Sequence, residues 1–298
     1  MIIPVFLDGR AREPVQSRYF KVVVDSHVSD RHYPHTGGIM EGLEAIFRWM
    51  HVFMGIIWIG HLYFFNWVNG PLAAKLDGPT KKIVVPELMP RALYWFRWGA
   101  AWTWITGILL LGLVYYHGKQ AFAGGTDWSA GAGIMIVVTF LAVFVYDALW
   151  KSGLANNLRA AVITSFILLA IIIALYAHFA HFSYRGVLIH TGVLFGSTMA
   201  FNVWFRIWPA QQKIIRAVKD GAAPDAALVK LAGLRSRHNT YMSVPLVWTM
   251  IGQHTTFFSG GNLGIPSEYF YISLLLIIII GWHLVFQCYK KAGKVQGF

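Results

Sequence analysis

LRAAVITSFILLAIIIALYAHFAHF, residues 158–182, decides the class of fold. Beyond Arg159 at its start it carries no acidic or basic charge. At about 1.5 Å per residue it is long enough to cross the roughly 30 Å apolar core of a bilayer. Six more windows share this character, at residues 45–68, 93–116, 130–150, 186–208, 240–258 and 269–289. Turn-forming groups separate them: Asn69-Gly70-Pro71, Gly124-Gly125, Asn156-Asn157, Arg185-Gly186, Pro209 and Gly260-Gly261. Pro245 falls inside the sixth window and predicts a kink. The expected fold is all-α, a polytopic membrane helix bundle of about seven transmembrane helices.

Composition agrees. Of 298 residues, 56% are hydrophobic and only 13% charged, and mean hydropathy is +0.52. Soluble domains carry about 25% charged residues. Disorder is excluded, and so is a soluble nucleic-acid-binding domain, although the net charge is +12. No nucleic-acid partner is expected; the partner that composition demands is the lipid bilayer. The one cysteine, Cys288, cannot form an intrachain disulfide, a thiolate zinc site, an iron–sulfur cluster or a CxxCH haem attachment. Metal chemistry must run through the 12 histidines.

The chain reads as three regions: an extramembrane N-terminal arm at 1–44, a seven-helix transmembrane domain at 45–290 and a tail at 291–298. The arm is polar, contains Pro4, Pro14 and Pro34, and has only short apolar runs such as Lys21–Val24, one of them a candidate strand. Lysine and arginine crowd one side of the bundle, from Lys75, Lys81 and Lys82 through Lys151, Arg206, Lys213 and Arg235 to Lys290 and Lys291. The loops of the other side contribute only Lys119 and Arg185. Basic loops stay inside. The expected location is a bacterial cytoplasmic (inner) membrane, with the N-terminus outside and the C-terminus cytoplasmic.

Ionisable groups within spans are functional candidates. No acidic residue sits mid-span; Asp147 lies near the end of the third. Seven histidines fall within the windows: His51, His61, His178, His181, His190, His254 and His283. Neutral imidazole survives burial and ligates haem iron. By helical rise, His51, His178, His181, His190 and His254 group near the outer face, with His61 and His283 deeper. This two-level distribution fits one or two b-type haems, with His51, His190, His254 and His283 as candidate axial ligands and His61 as a further cofactor-binding residue. A plainer reading stands beside it: His178 and His181 as interfacial side chains, and His61 bonded to a neighbouring carbonyl. Gly55, Gly60, Gly99 and Gly107 permit close approach of a helix or of a flat macrocycle.

Four stretches carry a resemblance. They are residues 43–66, with Arg48-Trp49-Met50-His51 and Gly55-Ile56-Ile57-Trp58-Ile59-Gly60; Met89-Pro90 through Trp95-Phe96-Arg97-Trp98, Thr103-Trp104, Gly107 and Tyr115-Tyr116; His190-Thr191-Gly192 through Met199-Ala200 and Asn202-Val203 to Trp208-Pro209-Ala210-Gln211-Gln212-Lys213; and Arg235-Ser236-Arg237-His238-Asn239-Thr240-Tyr241 through Pro245 to Gln253-His254. Together they resemble the membrane domain of the bacterial membrane-bound, cytochrome c-linked urate oxidases, over about residues 43–290. The resemblance implies a helical membrane fold and a redox activity. Members of that family usually continue into a further span and a cytochrome c domain, and usually have an acidic residue where this sequence has Gly99. The arm of about 44 residues is also unlike the family.

Three functions follow, in this order. The first is an electron-transfer subunit that binds haem b through intramembrane histidines and passes electrons between a partner and quinone or cytochrome c. The second is a urate oxidase served by a separate cytochrome c. The third is a cofactor-free structural subunit. The expected partners are a cytochrome c or other redox protein and a quinone, within a larger membrane complex.

Overall fold

The computed structural model describes residues 35–124 and 127–295. The rest of the arm expected at 1–44, with its candidate strand, lies outside the described residues. Two compact units divide the chain, Met1–Gly42 and Leu43–Phe298. In the first, residues 35–42 are helical.

Seven long helices are present among the described residues, and no strand; one isolated bridge pairs Phe122 with Phe182. Helix α1 covers residues 35–75 and contains a π-helical turn at Phe64–Asn69. Helix α2, Gly78–His117, ends in a π-helical turn at Leu111–His117. They are followed by α3, Ala130–Leu149, and α4, Leu158–His178. Helix α5, Tyr184–Lys219, has a π-helical turn at Val203–Ile207. Helix α6 is Ala226–Ile251 and α7 is Tyr271–Ala292. Side-chain oxygens cap the starts: Asp77 accepts from the Thr80 amide, Ser129 from Ala132, Asn157 from Ala160, Ser183 from Gly186 and Asp225 from Ala227. The Thr80 hydrogen bonds hold the Asp77 carboxyl below the usual carboxylate range.

All helices but α6 are long and apolar enough to cross a membrane, and the protein is a multi-pass membrane protein. Helix α6 is less apolar, carrying Lys230, Arg235 and Arg237, yet its buried residues include Arg235, Asn239, Thr240, Ser243 and Thr249. The polar side of the bundle is its interior. Helix α5 is central: 72% of its apolar window is buried, against 11% for α1. Its buried face includes His190, Thr191, Ser197, Thr198 and Asn202. Meanwhile Ile134, Leu141 and Phe144 of α3, Ile163 and Ile167 of α4, and Ile279 and Ile280 of α7 are exposed. Exposed apolar surface on that scale requires lipid around it.

Several expected boundaries are corrected. Asn69-Gly70-Pro71 and Pro209 were expected to end helices, yet α1 and α5 run through both. Proline removes an N–H and crowds the carbonyl four residues back. The π-helical turns immediately before Pro71 and Pro209 open the backbone spacing there and let the helix continue. Helix α2 starts at Gly78 rather than 93, carrying Pro86 and Pro90 inside it. Helix α1 is helical from His35 rather than 45. Helix α6 spans Ala226–Ile251 instead of 240–258. A hydropathy window cannot see a helix whose polar residues are covered by its neighbours.

One ion cluster ties α3, α5 and α6. Asp147, 6% exposed, receives the Arg235 Nη2 at 2.8 Å, the Arg206 Nε at 2.9 Å and the Lys151 Nζ at 2.7 Å. Arg235 is fully buried, and its guanidinium also lies 4.9 Å from the Tyr146 ring. Removing the only carboxylate among these cations leaves a buried charge uncompensated. Asp147→Asn should lower stability by about 3–5 kcal/mol. Thermal unfolding in detergent measures this; an unchanged Tm would show that the cluster holds nothing together.

Candidate functional site

The histidines divide by how their two ring nitrogens are engaged. His51 places Nδ1 2.9 Å from the Thr103 carbonyl oxygen and 3.3 Å from the Thr106 hydroxyl. His61 places Nδ1 2.8 Å from the Ile57 carbonyl oxygen, and His190 places Nδ1 2.7 Å from that of Gly186. A carbonyl only accepts, so Nδ1 carries the proton in each neutral ring and Nε2 carries the lone pair. In His190 that lone pair has a donor, the Tyr116 hydroxyl, 3.0 Å away. In His51 and His61 no hydrogen bond engages Nε2 among the described residues. An imidazole that donates through one nitrogen to a carbonyl and leaves the other free has the arrangement of a metal ligand.

Helix α2 shows the level of each ring. His51 meets Thr103 and Thr106, while His190 meets Tyr116, ten residues further along and hence about 15 Å away. Sequence depth placed these two histidines at one level; the structure separates them, because α1 begins at His35, outside the apolar window used to judge depth. His190 shares its level with the end of α6: Gly192 packs where a Cβ would stand 2.5 Å from Met250 Cε, and the Tyr115 hydroxyl donates to Gln253. His254, next to Gln253, is exposed in a 3-10 turn, Gly252–His254.

His190 is enclosed completely. Its ring stacks on Phe182 at 4.1 Å, with Tyr176 and Tyr116 within 6 Å. His283 lies on an exposed face of α7, with Nε2 3.0 Å from the Gln287 amide nitrogen. His61 instead lines a groove formed with Leu88, Arg91, Ala92 and Trp95 of α2. The structure gives the two deeper histidines separate surroundings. His178 is exposed beside Tyr269 and Tyr271, and His181 takes a left-handed loop conformation at φ 53°. No group of three or more His, Cys, Asp or Glu is placed to hold a metal ion among the described residues.

His51 and His61 share this ring state, and His51 is packed against a glycine. Gly107 faces its ring, and a Cβ at that position would stand 3.0 Å from His51 Cε1. The glycine gives the imidazole its room, and the Thr103 carbonyl fixes its orientation.

Sequence reasoning missed His238, because the sixth helix was taken to begin at residue 240. It is held between the Tyr146 hydroxyl, 2.8 Å from Nδ1, and the Trp150 ring at 4.0 Å. Tyr146 also accepts from Asn202, which donates to Asn239. The signal was present in the stretch Arg235–Tyr241, whose close spacing of polar residues suits a helix face turned inward.

Fold and interior together define a helical membrane protein with a polar, histidine-bearing interior. The model of the family described as "Urate oxidase N-terminal" matches residues 76–296, and the chain belongs to that family. No curated protein and no solved structure matched it. The matched span includes His190, His238 and Arg235 but not α1 with His51 and His61.

Gly99, where the resemblance leads one to expect an acid, has a structural explanation here. A Cβ at 99 would stand 3.1 Å from the Trp58 amide nitrogen, 3.2 Å from Ile57 Cγ2 and 3.3 Å from the Met54 carbonyl oxygen. The backbones of α1 and α2 approach each other at this glycine, and a side chain there must push its neighbours back by a few tenths of an ångström. Gly99→Asp should therefore overpack the contact at a cost of about 1–3 kcal/mol. A lowered Tm, with loss of monodisperse protein in detergent, is the expected result; full stability would mean that the helices part freely.

Proposed function

We propose that this protein is a redox subunit of the bacterial cytoplasmic membrane that holds a b-type haem through His51 and passes electrons between a partner protein and a quinone or cytochrome c. The observation that carries the reading is the His51 ring: half-buried on α1 against α2, donating through Nδ1 to Thr103 and keeping the Nε2 lone pair free. A haem bound there would supply one-electron transfer. The chain's own contribution is to orient the imidazole, to raise its basicity through the Thr103 hydrogen bond and to keep water from it with the apolar walls of α1 and α2. The proposed orientation, N-terminus outside and basic loops cytoplasmic, follows from the distribution of lysine and arginine.

A second reading, a urate oxidase served by a separate cytochrome c, is supported by family membership. The packing at Gly99 favours the first.

One set of measurements separates them. Purified protein should show a Soret band and a b-type α band on reduction, and His51→Ala should lose most of the haem while retaining its helix content. With added cytochrome c, the wild-type protein should consume little or no urate. An absence of haem, or full haem in His51→Ala, contradicts the assignment of His51. Robust urate turnover promotes the second reading.

A further inference from the structure

Beside His61 lies an open groove of about 540 Å³ lined by Ile56, Ile57, Gly60, Phe64, Leu88 and Ala92, with His61, Arg91 and Trp95. Its volume is in the range of small-molecule sites. It lies between two helices that are apolar enough to span a membrane, and its rim residues Ile56 and Trp95 are 68% and 53% exposed. Gly60 leaves the groove open, since a Cβ built there meets nothing within 4 Å. Arg91, at one end, already bonds Glu87 at 2.6 Å. Two hydrogen-bonding atoms of the apolar part carry no hydrogen bond among the described residues: the Trp95 indole N–H, a donor, and the His61 Nε2, an acceptor in the neutral ring because Nδ1 donates to Ile57.

We propose that this groove binds the head group of a lipid-soluble quinol, whose hydroxyl donates a hydrogen bond to His61 Nε2 while its ring packs against Trp95. The groove's chemistry selects this occupant. A lipid acyl chain offers no donor to the imidazole. A charged, water-soluble ring would lose its hydration against an apolar wall and find only an arginine already paired. An oxidised quinone offers acceptors alone, which suit the Trp95 indole but not the His61 Nε2. A quinol is apolar in body, reaches the groove through the bilayer and donates. The inference rests on the redox reading above, because a quinol is an electron carrier.

The test uses the full chain in lipid nanodiscs with tritiated decylbenzoquinol under anaerobic, reducing conditions, and haem content is read on the same samples. Saturable binding of about one quinol per chain is expected. Gly60→Leu, which fills open space, should abolish it. His61→Phe should weaken it about 2- to 10-fold, the worth of one hydrogen bond, and oxidised decylbenzoquinone should bind more weakly than the quinol by a similar factor. Binding no greater than in empty nanodiscs overturns the inference, as does binding unchanged in both variants. Loss of haem from His61→Phe would assign the ring to an iron and overturn it as well. Haem retained without quinol binding defeats the groove alone. Quinol binding without haem supports the groove and defeats the haem at His51.

Discussion

Inside a bilayer every backbone polar group must find its partner within the protein, and polar side chains are best placed facing one another, a constraint that orders this bundle. Isoleucine, leucine and phenylalanine cover the outside of α3, α4 and α7, where no hydrogen bond is needed. Polar side chains gather on α5 and α6, where Thr191, Thr198 and Thr249 bond carbonyls of their own helices. Links between helices follow the same rule. The Tyr63 hydroxyl meets Ser243, Asn66 donates to Ser236 and accepts from Tyr289, and the Trp104 indole donates to Ser197. These contacts join α1, α2, α5, α6 and α7 by direction as well as by area.

The same constraint sets the state of each buried histidine. Wherever a ring nitrogen of His51, His61 or His190 faces a main-chain carbonyl, the tautomer is fixed and the chemistry of the opposite nitrogen is fixed with it. In His190 the Tyr116 hydroxyl occupies that nitrogen. In His51 and His61 it remains available. Both lie on α1, ten residues and so about 15 Å apart along one helix. A single helix thus carries two imidazoles with free lone pairs at two depths, one between helices and one on a lipid-facing groove.

How much of this the sequence disclosed depended on which physical signal carried it. The all-α membrane fold was legible because apolar length is a property of composition. Helix ends were less legible. Pro71 and Pro209 signal breaks in isolation, and only the π-helical turns before them explain why α1 and α5 continue. Helix α6 was shortened in the reading because Lys230, Arg235 and Arg237 depress its hydropathy, and His238 was missed with it. Among the candidate site residues, the intramembrane histidines were visible as a set, but a sequence has no means of showing where a side chain faces. His190 enclosed by Phe182 and Tyr116, His283 turned outward beside Gln287 and His61 in a groove are all equivalent in a hydropathy plot. Gly99 was noticed as a departure from the resembling enzymes, and its reason, the approach of α1 to α2, lies in packing alone.

The central claim is that the Nε2 of His51 is a metal-binding atom, and high-resolution density of the purified protein in lipid tests it most directly. The account predicts a planar macrocycle beside α1 and α2, with its central metal about 2.0–2.1 Å from His51 Nε2, the distance of other metal–imidazole bonds. Packed side chains or lipid against that ring, with no macrocycle, would contradict it.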